Sequence, residues 1–211
     1  MPRKIHVNAS SHDCGYANWM EATGFTRNIE DADLVLALGG SDVSAHYYGQ
    51  NDGGYLSCDR NTDALEYKGF IRAIQLKKKI IGICKGSQWG AALAGGSIFQ
   101  HVRHPYYHEV TTFDGQKLLV NSTHHNMQNV LNLKENEDYK LLAWAEGISP
   151  FHFNGGKINV PCTKEPEVVF YPKINFLAIQ CHPESLFGEA GSDKTINWMR
   201  DVLNKFTANK L

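Results

Sequence analysis

The chain has 211 residues, 42% hydrophobic and 20% charged, with a formal net charge of -1. That balance excludes intrinsic disorder, and near-neutrality gives no electrostatic reason to expect nucleic acid or a membrane surface as a partner. The length fits one domain over residues 1–211, large enough to bury a core without covalent staples.

Met1 to Asn8 lacks the apolar run of a signal peptide, and no later stretch is apolar enough to span a bilayer. A cytoplasmic location is therefore expected. The five cysteines, Cys14, Cys58, Cys84, Cys162 and Cys181, are odd in number, widely spaced and without a CxxC pair. Reduced thiols are expected rather than a disulfide framework or a zinc ribbon.

Short apolar runs alternate with amphipathic stretches along the chain. Lys4 to Asn8 reads as a strand, and Tyr16 to Gly24 as a short helix closed by its glycine. Ala32 to Gly40 is almost continuously apolar before two glycines, as expected of a strand buried on both faces. Thr62 to Lys79 carries Leu65, Phe70, Ile71 and Ile74 at helical spacing and ends in three lysines that suit a helix C-terminus. Lys79 to Cys84 is the next buried strand, and Lys85 to Gly96 the helix after it. Further strands are expected within 108–113, 117–121, 139–146, 167–172 and 176–184. An amphipathic helix with Ile196, Met199, Val202, Leu203 and Phe206 on one side closes the chain. This order predicts an α/β fold, a mostly parallel central sheet with helices on both faces and a few antiparallel edge strands.

The most informative segment is Ile80 to Gly90. Gly82-Ile83-Cys84-Lys85-Gly86 lies between a strand and a helix, the arrangement of a nucleophile elbow. Such a turn strains the backbone of its central residue, and flanking glycines remove the side chains that would collide there. The sulfur would also stand at a helix N-terminus, which favours thiolate. A five-residue motif matches by chance often enough to demand a partner. "CHPE" supplies one, with His182 just past an apolar strand and Glu184 two residues on. A thiol needs a base, and the base needs a third group to set its tautomer.

Together, "GICKGSQ" with Gly95-Gly96 and "IQCHPE" resemble the two signatures of class I glutamine amidotransferases. More narrowly, the chain is similar to the γ-glutamyl hydrolase-like branch, which includes enzymes acting on γ-glutamyl-γ-aminobutyrate. Leu38 to Gly49 resembles that branch's oxyanion strand, Asp59 to Glu66 its helix entry, and Val120 to His125 its N-S-x-H-H segment. The sequence departs from the pattern at Leu38, Ala45, Lys85 and Asn126, none of them in the Cys-His-Glu set.

The resemblance implies a three-layer, flavodoxin-like sheet and hydrolysis of a γ-glutamyl amide through a thioester. Carried over by position, Cys84 attacks the amide, His182 moves the proton and Glu184 orients the imidazole. The N–H groups of Gly40 and Lys85 form the oxyanion hole, and Ser41, Gln88, Ser122 and His124 hold the α-amino and α-carboxylate ends. Three functions stand open at this point: a free-standing hydrolase of glutamine or a γ-glutamyl amine, an ammonia-supplying subunit for a separate synthetase or amidoligase, and a non-catalytic member of the fold.

Histidines gather at His101, His104, His108, His124 and His125, but no HExxH helix and no carboxylate at ligand spacing accompanies them. No metal is expected. "GGSIFQ", Gly95 to Gln100, lacks the GxGxxG of a dinucleotide site, and no cofactor is expected either.

Overall fold

Apolar runs bounded by glycines and polar residues become the strands, in the order β1 (Lys4–Val7), β2 (Gly24–Phe25), β3 (Leu34–Ala37), α1 (Arg60–Gln75), β4 (Lys79–Ile83) and α2 (Lys85–Leu93). There follow β5 (Ser97–Phe99), β6 (Tyr107–Thr112), β7 (Lys117–Asn121), β8 (Met127–Asn129), β9 (Lys140–Ala145), β10 (Glu165–Tyr171), β11 (Phe176–Ile179), α3 (Pro183–Leu186) and α4 (Asp193–Thr207). The structure, a computed structural model, describes residues 3–13, 15–155 and 160–211. Cys14, among the expected free thiols, lies outside the described residues.

Nine strands form one sheet in the order β2-β1-β3-β4-β11-β10-β9-β6-β7. The first five are mutually parallel, and β10, β9, β6 and β7 continue the sheet antiparallel. The expected α/β architecture is present, with the antiparallel strands β10, β9, β6 and β7 together on one side of the sheet. Strand alternation sorts the core into two layers. Ile81 and Ile83 of β4 face Ile196, Met199, Val202, Leu203 and Phe206 of α4. Ile80 faces Phe70 and Ala73 of α1 and Trp89 of α2. Each fully buried aliphatic side chain contributes roughly 1.5–3 kcal/mol, so both layers are needed. Among the described residues no helix is long and apolar enough to cross a membrane.

Local readings fail in three places. The helix expected over Tyr16–Gly24 is a single 3-10 turn, Asn18–Met20, ended by left-handed Glu21 at φ 54°. Trp19 and Met20 plug the core there, and Gly24 already pairs with Lys4 as β2. Leu65 is exposed, while Asp63, Phe70 and Ala73 form the buried face of α1. The third is an unforeseen pair of short strands, β5 and β8, which pair antiparallel as a separate ribbon. Asp59 caps α1, its carboxylate accepting from the N–H groups of Asn61 and Thr62.

Candidate active site

The parallel strands β3, β4 and β11 are neighbours, and the loops leaving their C-terminal ends converge. At the end of β4, Cys84 takes φ 54° and ψ -110°, in the positive-φ region that non-glycine residues rarely occupy. Holding it there costs of order 1–3 kcal/mol, which the surroundings must supply. The Cys84 N–H donates to Ile179 O at 2.9 Å, Gly86 N–H to Leu38 O at 3.1 Å, and Ser87 Oγ to Cys84 O at 2.7 Å. The two glycines of the motif are required by close approach. A Cβ on Gly82 would lie 2.2 Å from Gly86 O, and one on Gly86 2.5 Å from Ala37 O. The elbow expected from "GICKG" is thus present, with Cys84 at the N-cap of α2.

The Lys85 side chain runs away from the sulfur. Its Nζ lies 2.8 Å from Asp63 Oδ1 and 2.8 Å from Glu66 Oε2, with the lysine and Asp63 essentially without solvent contact. Burial opposes its charge, but Glu66 and Asp63 outweigh that and raise its pKa. This ion pair explains why the polar Asp63 occupies the buried face of α1, and it ties that helix to the elbow.

His182 follows β11. Its Nδ1 lies 2.6 Å from Glu184 Oε1, with both side chains mostly buried. Gly39 packs against both His182 and Cys84: a Cβ there would sit 3.2 Å from His182 Cε1 and 3.4 Å from Cys84 Cβ. His182 Nε2 is buried with no hydrogen-bond partner among the described residues. Burial disfavours the charged ring, yet contact with Cys84 and with Glu184 outweighs it and holds the pKa up at about 10. Cys181, one residue earlier, is fully buried in the core, where burial pushes its thiol well above the ordinary value. Its side chain packs into the core layer that also holds Cys84, two residues past the end of β11.

A cavity of about 140 Å³ opens beside Cys84, lined by Gly40, Ser41, Asp42, Ser57, Gln88, Thr123, His124, His125 and Asn126. Three of the expected substrate-holding residues, Ser41, Gln88 and His124, therefore line it. Ser122 does not; its hydroxyl sits 3.4 Å from His124 Nδ1. The Gln88 amide donates to Asn126 O at 2.9 Å, and its Oε1 has no partner among the described residues. The N–H groups of Gly40 and Lys85 have no acceptor among the described residues. Burial drives the His124 pKa down to about 3, so its ring is neutral at ordinary pH.

Sequence reading missed Asp42, Asn121 and Tyr16. Asp42 accepts from Ser57 N–H at 2.7 Å and lies 3.2 Å from His125 Nε2. Asn121 bonds the His182 backbone twice. The Tyr16 ring meets that of His182 edge-on at 5.8 Å. Asn121 lies inside the N-S-x-H-H segment and could have been found there, whereas nothing local marks Tyr16.

A strained cysteine between strand and helix, facing a histidine backed by a carboxylate on an α/β sheet, is the arrangement that thiol chemistry on an acyl group requires. Residues 20–143, more than half of the chain, match the Peptidase C26 family, and the chain belongs to that class I glutamine amidotransferase-like family. It is 26% identical over 199 residues to the glutamine amidotransferase-like protein YvdE of Lactococcus lactis subsp. lactis, covering 81% of this chain and 75% of that one. Its fold is similar to PurLQS from Thermotoga maritima, with a TM-score of 0.59 and 16% identity over 96% of this chain and 98% of that one. A GMP synthase subunit from Thermoplasma acidophilum shares the fold at TM-score 0.57 and 15% identity, over 98% of this chain and 94% of that one. Family membership supports hydrolysis of glutamine-type amides as the general chemistry.

Proposed function

We propose that the chain, acting as one domain, hydrolyses the γ-glutamyl amide bond of glutamine or a γ-glutamyl amine through a thioester on Cys84. The observation that carries this reading is the strained Cys84 facing a His182 ring fixed at 2.6 Å by Glu184. With its pKa held up near 10, His182 carries the proton at neutral pH as the Cys84 sulfur attacks. Addition to the amide carbonyl places negative charge on oxygen, which accepts hydrogen bonds from the N–H groups of Gly40 and Lys85. The imidazolium gives its proton to the departing nitrogen, and the carbonyl re-forms as a thioester. His182, now neutral, takes a proton from water as it attacks that carbonyl, and glutamate leaves with Cys84 restored. Ser41, Gln88 and His124 on the cavity wall hold the amino-acid end, with Ser122 behind His124. The small cavity suits a glutamyl group better than a peptide.

The likeness to PurLQS and to a GMP synthase subunit favours a second reading, in which the same half-reaction supplies ammonia to a separate synthetase chain. A non-catalytic role is disfavoured because the whole constellation is present. Ammonia and amine release from a panel of γ-glutamyl compounds, compared with Cys84→Ala, tests the reading. Hydrolysis without a partner supports the free-standing enzyme, and release only on adding a synthetase supports the second. Equal release by Cys84→Ala would remove both.

A further inference from the structure

The histidines set aside on sequence grounds meet a carboxylate that sequence spacing hides. On β10, Pro166 pairs with Trp144 and Val168 with Ala143, which leaves Glu167 as the extra residue of a β-bulge. A bulge re-aims the side chain it carries. The Glu167 carboxylate is fully buried, with Oε1 3.1 Å from His108 Nε2 and 3.4 Å from His104 Nδ1. Donor atoms of His104, His108 and Glu167 all lie within 4.8 Å of one another.

As a hydrogen-bond cluster this group is incomplete. Among the described residues Glu167 Oε2 and His108 Nδ1 have no partner, and neither nitrogen of His104 makes a contact of hydrogen-bond geometry. Buried polar atoms are ordinarily satisfied, and each exception calls for an explanation such as a missing ion. A second buried carboxylate stands behind. Glu165 Oε2 is 3.4 Å from His104 Nε2, and Glu165 is fixed by the N–H groups of Ile148 and Ser149 at 2.8 Å and by His152 at 2.7 Å.

We propose that His104, His108 and Glu167 form a binding site for a divalent transition-metal ion of the zinc type. Two imidazoles and one carboxylate are borderline donors that suit zinc. Glu165 occupies the place of the outer carboxylate that orients a metal-bound imidazole. A doubly charged ion also balances the two buried carboxylates. The site is separate from the thiol chemistry, since none of its three donors lines the cavity at Cys84. His124 joins the two regions, lining that cavity and packing edge-on against His104 at 5.3 Å. A metal here would brace the cavity wall without entering the reaction.

The test uses the full chain, stripped with a chelator and titrated with zinc by calorimetry and with cobalt by visible absorption. One equivalent should bind, with tetrahedral cobalt bands, no sulfur-to-metal charge-transfer band and a rise in melting temperature. Glu167→Gln should lose binding, and Glu165→Gln should weaken it about 10–100-fold. Cys84→Ala should bind as the wild type does. If Glu167→Gln fails to fold, the wild-type spectrum and melting shift decide the matter. The site is overturned if the wild type binds no zinc, if cobalt reports sulfur ligation, if Cys84→Ala loses the metal, or if folded Glu167→Gln keeps it.

Discussion

Asn121 and His182 hold each other twice: the His182 N–H donates to Asn121 Oδ1 at 2.8 Å, and Asn121 Nδ2 donates to His182 O at 3.1 Å. The end of β7 thereby sets the position of a histidine that leaves β11 on another part of the sheet. Asn121 touches no reacting atom in the proposed mechanism and is a positioning residue. Asn121→Ala is expected to lower kcat by up to about 100-fold, because misplacement by about 1 Å has that effect. KM should change little. Steady-state kinetics beside thermal unfolding checks this, and lost stability with an unchanged kcat would reduce Asn121 to a structural role.

Cys84→Ala should abolish turnover, by several orders of magnitude, while the folded state persists. The substitution removes only the sulfur and keeps the Cβ, so the backbone of the turn is asked for nothing new. A glutamine-mimicking chloroketone should label Cys84 among the five cysteines, since Cys181 and Cys162 are buried and their thiols are pushed up, Cys162 to about 12. Peptide mapping locates the adduct. An adduct on Cys58 or Cys14 instead would count against the elbow as the reactive site.

The His182 pKa near 10 lies above the 6.5 of a free imidazole, so the folded state favours the charged ring. Its contribution to stability is fully present below about pH 6.5 and is lost as pH rises through about 10. The rate should fall through the same alkaline range as the proton donor disappears. Glu184→Gln removes one cause of the raised pKa and should shift that limb to lower pH, with measurable activity remaining. His182→Asn should be nearly as damaging as loss of Cys84. An unmoved alkaline limb in Glu184→Gln, or an active His182→Asn, would refute these roles.

Lys85→Met should destabilise the fold by about 3–5 kcal/mol, because it strands the fully buried Asp63 carboxylate without its cation. Adding Asp63→Asn should recover part of the loss. Denaturant midpoints of the single and double variants measure it. Additive losses would mean that the pair does not act as a unit.

Gly86→Ala forces a Cβ to within 2.5 Å of Ala37 O, and backbone cannot yield there cheaply. A loss of about 1–3 kcal/mol is expected. A variant as stable as the wild type would show that the elbow has room the structure does not indicate.

Features that depend on neighbours along the chain were legible before any fold was known. The strand-turn-helix of Ile80 to Leu93 is one, because strand apolarity, glycine spacing and helix onset are all local, and Cys84 came with it. His182 and Glu184 are another, because a two-residue separation across the start of α3 lets the carboxylate reach the ring. Which distant groups complete the site emerged only from tertiary packing. Asn121 reaches His182 and Asp63 reaches Lys85 because sheet order and helix packing bring them together, and neither pairing has a spacing rule. The same cause hid Glu167 from its histidines. Its bulge arises from β9–β10 register, and register is a property of two strands that no single segment encodes.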